Sequence, residues 1–328
     1  MDTAADDLHY LELMEIAACI KARKISPVEA TRAQLDRIAA LDGELGSYVQ
    51  VMADAATAQA ETAHVEIAAG RYRGPLHGVP VALKDLFWTK DVPTAAGTAV
   101  HRDFRPDQDA TVVRRLNDAG AVVLGKLQLT EGAYSDHHPS VTPPKNPWNA
   151  DYWPGISSSG AAVATAAGLC YGALASDTGG SIRWPCAANG LTGLKPGWGR
   201  VSRYGVFELA ATLDHVGTIA RSAADAGAML GVIAGRDRAD PTAVFDPVPD
   251  YLAAAEQDIR GLRIGVDARW NSDGVDVATQ QVLEAAVEAL RELGAVVSRR
   301  EADRSRLGAE LRGGGRGRAR CNVPCPQG

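Results

Sequence analysis

Two short segments rich in serine and glycine hold the residues that could carry out chemistry. Residues 154–160 read PGISSSG, and residues 176–183 read SDTGGSIR. Glycine lets successive backbone N–H groups point into one concavity, which can hold a phosphate or the negative oxygen of a tetrahedral intermediate. The segments therefore indicate either an anion site or a serine nucleophile beside an oxyanion hole.

Neither segment fits the common phosphate-binding or hydrolase patterns. A G-x-x-x-x-G-K-[ST] phosphate loop needs a lysine after its last glycine, and the dinucleotide pattern G-x-G-x-x-G is missing as well. The G-x-S-x-G elbow of the α/β-hydrolases is absent, because Arg183 stands where the last glycine should be. Phosphate binding and a Ser-His-Asp triad are both disfavoured.

A serine nucleophile needs a base, and two kinds of residue could supply it. None of the seven histidines lies in either segment, and His215 is the best candidate to fold back from a distance. A lysine made neutral by burial can also serve. Lys84 ends the apolar run 81–83, where desolvation would lower its pKa. The alternative is a structural lysine that snorkels from a strand end to water.

The surrounding sequence alternates helical and strand patterns. Residues 26–29 (SPVE) form a capping box with proline at the first helical position, which predicts a helix start there. Helical patterns closed by glycine and followed by β-branched strands are typical of an α/β sheet. We expect helices through about residue 69, at 110–119 and at 277–293, and strands at 81–84, 121–124, 262–266 and 295–297.

Composition narrows the class of protein. The chain has 328 residues, of which 46% are hydrophobic, and a net charge of −6, so a broad nucleic-acid surface is not expected. The five scattered cysteines do not suggest a disulfide framework. The acidic start and the lack of a long apolar run predict neither a secretory signal nor a membrane span. A cytoplasmic protein that acts on a small molecule is the resulting expectation.

The last segment, residues 304–328, differs from the rest. It has six arginines against one acidic residue, Glu310, and no hydrophobic period. We predict a disordered Arg/Gly-rich tail, consistent with a frame-shifted or truncated end, and the alternative is a basic tail for nucleic acid. Cys321 and Cys325 lack a second pair of ligands for zinc, and no metal or organic cofactor is expected.

Several segments together resemble the amidase signature family. They are 78–85 (GVPVALKD), the two serine segments, 193–202 (GLKPGWGRVS) and 213–217 (LDHVG), in the family's order and spacing. The similarity runs from about residue 8 to about residue 300. It implies a mixed central β-sheet flanked by α-helices on both faces, incomplete at the C-terminus. The implied domain is 1–303, with a helical segment at about 8–70 and a catalytic core at about 71–235.

The resemblance also implies a catalytic triad. Lys84 would be the base, Ser157 the bridging serine after a cis peptide bond, and Ser181 the nucleophile. Ser158 would support the lysine or the bridging serine by hydrogen bonding, while Asp177 and Arg183 would fasten the loop. The backbone amides implied for the oxyanion hole are those of Thr178, Gly179, Gly180 and Ser181.

Three functions follow as expectations. The first is a stand-alone amidase that converts a small carboxamide to an acid and ammonia through an acyl-enzyme. The second is the glutaminase subunit of a tRNA-dependent amidotransferase, which would need a partner protein; a homodimer is open as well. The third is a truncated, non-catalytic remnant. Ile156 stands where the family most often has glycine, and the chain is shorter than most members, so we expect it to be poorly soluble or weakly active.

Overall fold

The computed structural model describes residues 5–255 and 257–300, in two compact units that divide after Ala255. The first unit contains every residue that the sequence predicts for the active site. The predicted tail at 304–328 lies outside the described residues.

Three helices open the first unit after a 3₁₀ turn at Ala5–Tyr10: α1 Leu13–Lys21, α2 Pro27–Leu45 and α3 Ala53–Ala68. The predicted capping box at the start of α2 is confirmed. The Glu29 amide donates to the Ser26 hydroxyl at 3.1 Å, and the Glu29 carboxylate accepts from the Ser26 amide at 2.7 Å. Two of the N–H groups that the helix start leaves unpaired are satisfied in this way.

A six-stranded mixed sheet forms the centre of the first unit, in the order β1-β3-β2-β4-β6-β5. The middle strand β2 is parallel to both β3 and β4, while β1, β5 and β6 pair antiparallel with their neighbours. The strands are β1 Tyr48–Val51, β2 Pro80–Lys84, β3 Val122–Leu127, β4 Gly172–Asp177, β5 Thr192–Leu194 and β6 His215–Ala220. Between and after them lie α4 Thr111–Asp118, a 3₁₀ turn Glu131–Ala133, α5 Ser159–Ala166, α6 Arg183–Asn189, α7 Ala223–Ile233 and α8 Tyr251–Ala255.

Helices cover both faces of this sheet. Leu83 and Leu174 belong to one cluster of buried side chains, which includes residues of α1, α4 and α7. Ala82 and Ala173 belong to a second cluster, which includes residues of α3 and α5. Because side chains alternate along a strand, the two clusters lie on opposite faces. The predicted mixed sheet with helices on both faces is confirmed.

The face beneath α5 is built from small residues. Ala82 of β2 faces Ala173 of the adjacent strand β4, and Ala175 continues the same row. Short side chains bring the backbone of α5 close to the sheet. Lys84, two residues after Ala82, leaves β2 on this face, beside the start of α5.

A bulge in β3 changes which residues face α5. Val81 pairs with Val123 but Leu83 pairs with Lys126, so β3 has one residue more than β2 over this stretch. An extra residue turns the side chains that follow it to the other face. Lys126 therefore lies on the face of Leu83, opposite to that of Lys84.

The second unit has a strand, a helix and a strand, as the sequence predicts. Strands β7 Arg263–Asp267 and β8 Val296–Arg300 pair in parallel, and α9 Val277–Glu292 connects them. The Asp276 side chain caps α9 by accepting from the Thr279 amide at 3.0 Å. None of the helices in residues 5–255 and 257–300 combines the length and apolar composition of a membrane span; the cytoplasmic location stays a prediction.

Gly125 offers a test of the packing between β1 and β3. A Cβ atom at this position would lie 2.2 Å from the carbonyl oxygen of Gln50, whereas a Cβ at Gly43 in α2 would meet nothing within 4 Å. We expect Gly125→Ala to destabilise the protein by about 1–3 kcal/mol through overpacking. Gly43→Ala is the matched control and should stabilise it by about 0.5–1 kcal/mol. Urea unfolding measures both, and equal midpoints for Gly125→Ala and the wild type would contradict the described pairing.

Candidate active site

Lys84 lies at the end of β2 and is completely buried. Its Nζ donates to the Ser157 hydroxyl at 2.7 Å and to the Ser176 hydroxyl at 2.9 Å. In residues 5–255 and 257–300 no carboxylate forms an ion pair with it. Burial lowers the pKa of Lys84 to about 7, although the negative charges of Asp177 and Asp214 oppose this shift. A large fraction of the amine is therefore uncharged near neutral pH.

The first serine segment holds Ser157 between the sheet and α6. The backbone of Gly155 has φ +85°, and a Cβ there would lie 2.3 Å from the Cα of Pro185, so this close approach needs glycine. The peptide bond between Ile156 and Ser157 is cis. The Ser157 carbonyl accepts from the Thr130 amide at 3.3 Å. The close approach at Gly155 and this hydrogen bond position the hydroxyl that Lys84 binds.

The second serine segment is closed by an ion pair. The carboxylate of Asp177, which ends β4, accepts from Arg183 Nε at 3.0 Å, from Arg183 Nη2 at 2.9 Å and from the Ile182 amide at 3.1 Å. Burial alone would raise the pKa of Asp177, but these hydrogen bonds outweigh it and leave the pKa below its usual value. The carboxylate is thus charged at neutral pH and ties both ends of the loop together.

Ser181 lies within this closed loop and is 7% exposed. Its hydroxyl forms no hydrogen bond with any residue in the described part of the chain. The structure therefore joins Lys84 directly to Ser157 and shows no partner for the Ser181 hydroxyl among residues 5–255 and 257–300. Ser157 and Ser181 are not hydrogen-bonded to each other, and hydrogen bonds between such groups often tighten only when a ligand binds.

Most backbone amides that lead up to Ser181 also have no acceptor within the described part of the chain. None of the four N–H groups from Thr178 to Ser181 donates to a described residue, whereas the next two, of Ile182 and Arg183, donate to Asp177. The Thr178 hydroxyl donates to Asp214 at 2.5 Å. Asp214 also accepts from the amides of Leu209 and Ala210, at 2.9 Å and 3.0 Å. The loop is thus held by side-chain contacts and by the amides of Ile182 and Arg183, and the amides of residues 178–181 have no acceptor among the described residues.

Two side chains expected near the base have other partners. The Ser158 hydroxyl donates to the Ser176 carbonyl at 3.3 Å, and not to Lys84 or Ser157 as the sequence predicts. His215 Nδ1 lies 2.6 Å from the Leu213 carbonyl and 3.3 Å from the Asp177 carbonyl, so the histidine contacts main chain and not a serine. Lysine is therefore the base candidate that the geometry favours.

Ser176 is the contact of Lys84 that sequence reasoning missed. It opens the quoted segment 176–183, but nothing in its type separates it from the other serines. The signal is its place in the sheet. Leu83 pairs with Leu174 in the parallel strands, so Lys84 at the end of β2 is level with Ala175, next to Ser176. Asp214 lies in the segment 213–217, but the sequence likewise predicted no separate role for it.

Comparisons with known proteins identify the family. A sequence model of the family described as Amidase matches residues 29–310. A protein of Mycobacterium tuberculosis provisionally named amidase AmiD is 53% identical over 290 residues, which are 88% of this chain and 60% of that protein. A subunit of the glutamyl-tRNA(Gln) amidotransferase of Anaeromyxobacter dehalogenans is 46% identical over 90% of this chain and 61% of its own length.

Comparison with solved structures identifies the same family. The native peptide amidase of Stenotrophomonas maltophilia superposes with a TM-score of 0.82 at 40% identity, and the match covers 91% of this chain and 63% of the amidase. The chain spans about 60% of the length of the curated relatives it matches.

Proposed function

The chain belongs to the amidase signature family, and we propose that it hydrolyses a small carboxamide to a carboxylic acid and ammonia through an acyl-enzyme. One observation carries the proposal. Lys84, fully buried and without an ionic partner in the described residues, donates to Ser157 at 2.7 Å. A lysine that is neutral near pH 7 can accept a proton, which an exposed lysine cannot do at that pH.

The proposed first half-reaction uses the two serine segments together. Neutral Lys84 accepts a proton from Ser157, and Ser157 accepts one from Ser181 as the Ser181 oxygen attacks the amide carbonyl. The carbonyl oxygen becomes negative in the tetrahedral intermediate. The amides from Thr178 to Ser181, which have no acceptor among the described residues, are the donors for it, and each such donor lowers the barrier by on the order of 3 kcal/mol.

The second half-reaction returns the protons. The ammonium of Lys84 gives its proton back through Ser157 to the departing nitrogen, so ammonia leaves and the acyl group stays on Ser181 as an ester. Water then attacks this ester while the same relay accepts its proton, and the relay gives that proton to the Ser181 oxygen as the acid is released. Asp177, Arg183 and Asp214 take no proton in this scheme. Their role is to hold the loop that carries Ser181 and the amide donors.

A second candidate is favoured by the relatives named as amidotransferase subunits, at 46% identity. The same residues would then release ammonia from glutamine for use by a partner protein. Glutaminase activity that appears only when a tRNA-binding partner is added would favour this candidate. Hydrolysis of several small carboxamides by the chain alone would favour the stand-alone amidase. The third candidate, a non-catalytic remnant, predicts well-folded protein with no reactive serine.

Labelling with a fluorophosphonate tests the nucleophile and the base. We expect Ser181→Ala to abolish labelling, because the probe bonds to the activated serine oxygen. Lys84→Met should slow it by about 10²–10⁴-fold, since general-base assistance is lost. The exposed residues Ser140 and Lys90 supply controls, and Ser140→Ala and Lys90→Met should label like the wild type. Wild-type labelling in Ser181→Ala would refute the assignment.

The rate of labelling should also depend on pH in a defined direction. The reactive form of Lys84 is the neutral amine, and its fraction grows as pH rises through the folded pKa of about 7. We therefore expect the rate to increase with pH and to level off above a midpoint near that value. In Lys84→Met the slow residual labelling rate should not show this increase with pH. A wild-type rate that is flat between about pH 5 and about pH 9 would argue against a lysine base.

A further inference from the structure

Trp184, the second residue of α6, places its side chain against the loop that carries the proposed nucleophile. Side chains in a helix lean toward the helix start, and the indole of Trp184 lies over Gly180, four residues earlier. A Cβ atom at Gly180 would be 2.6 Å from Cδ2 and from Cε2 of this indole. The Trp184 amide donates to the Gly180 carbonyl at 2.7 Å. The indole therefore packs directly against one of the four residues whose amides are proposed as oxyanion donors.

The residues before and after Trp184 are each anchored to one of the two serine segments. Arg183, which precedes it, is paired with Asp177 at 2.9 Å. Pro185, which follows it, packs against Gly155 of the first segment, where an added Cβ would lie 2.3 Å from the Pro185 Cα. The contacts that close the second serine segment and position the first therefore also fix the backbone of this tryptophan.

The packing against Gly180 leaves much of the indole accessible, because Trp184 is 42% exposed. Gly179, the residue before Gly180, is exposed as well, and a Cβ atom added to it would meet nothing within 4 Å. The loop thus adjoins open space at Gly179 and an aromatic surface at Gly180. Successive Cα atoms are about 3.8 Å apart, so a ligand that binds the loop amides from the open side would lie beside the indole.

An aromatic surface beside hydrogen-bond donors is typical of a small-molecule site, in which a few polar groups orient the ligand and aromatic side chains bind its apolar part. In the proposed reaction the departing group is ammonia, so the acyl group is the part of a primary carboxamide that can contact such a surface. Two aromatic rings in contact gain free energy beyond that of the area they bury. An acyl group with a ring should therefore gain more from Trp184 than an acetyl group does.

We propose that Trp184 is a specificity-determining residue, whose exposed indole contacts the acyl group and favours carboxamides with an aromatic acyl group over small aliphatic ones. The inference rests on the proposed function, because that function places the carbonyl carbon of the substrate at Ser181 and its oxygen at the neighbouring amides. Gly179 and Gly180 have no side chains that an acyl group could contact. The indole supplies the apolar surface that these two glycines lack.

The test is the ratio of kcat/KM for benzamide to kcat/KM for acetamide, measured with the full chain. Trp184→Ala should lower this ratio about tenfold, because the aromatic acyl group loses its contact and the acetyl group loses little. Trp184→Phe keeps an aromatic surface, and its ratio should stay within about threefold of the wild-type ratio. Trp148 supplies the matched control, since it is 73% exposed and donates to the carbonyl of Asn189 at the other end of α6. Trp148→Ala should leave the ratio unchanged.

The ratio distinguishes this inference from a structural role of the indole. If the indole only supports the loop, Trp184→Ala slows the hydrolysis of both amides by the same factor, and the unchanged ratio overturns the inference while the proposed function stands. If Trp184→Ala does not fold, Trp184→Gln decides, because it keeps a long side chain and removes the apolar surface; an unchanged ratio again overturns the inference. Hydrolysis that persists in Ser181→Ala, or no hydrolysis by the wild type, would overturn the proposed function and this inference with it.

Discussion

The hydrogen bond between the buried Lys84 amine and the Ser157 hydroxyl is the interaction on which the rest of the site depends. A lysine in a low-dielectric interior either finds a carboxylate or gives up its proton more easily. Lys84 has hydroxyl partners and no ion pair within the described residues, whereas Lys126 on the next strand has Asp85. The two lysines have the same burial, and their partners decide which of them is available as a base.

The fold meets this requirement through the sheet. Parallel pairing of β2 with β4 brings Lys84 next to the strand end that leads into the Ser181 loop. Alanines on the face beneath α5 bring the start of that helix, and with it Ser157, close to the sheet. The ion pair of Asp177 with Arg183 closes the loop without using the amides of residues 178–181. Core packing and the proposed chemistry therefore depend on the same three features: the pairing of β2 with β4, the alanine face beneath α5, and the loop closed by Asp177 and Arg183.

Much of the fold and of the candidate site could be predicted from the sequence. The motifs contain Lys84, Ser157 and Ser181, and the α/β pattern indicates the sheet. The features that the sequence does not predict depend on contacts between residues that are distant in the chain. The type of Ser176 does not reveal that it binds Lys84, because the contact joins the ends of two strands that are distant in the chain. The partner of Asp85 depends on one extra residue in β3. The hydrogen bond of Ser158 that the resemblance implies was wrong, because the turn into α5 directs this hydroxyl to the Ser176 carbonyl.

The most direct test is the titration of Lys84 itself, by NMR of protein labelled with ¹³C at the lysine side chains and assigned with Lys84→Met. The account predicts that one lysine titrates with a pKa of about 7 and that its signal is missing in the variant. A Lys84 signal that titrates near the ordinary lysine pKa of about 10.4 would contradict the account, because a lysine that stays charged at neutral pH cannot accept the proton of Ser157.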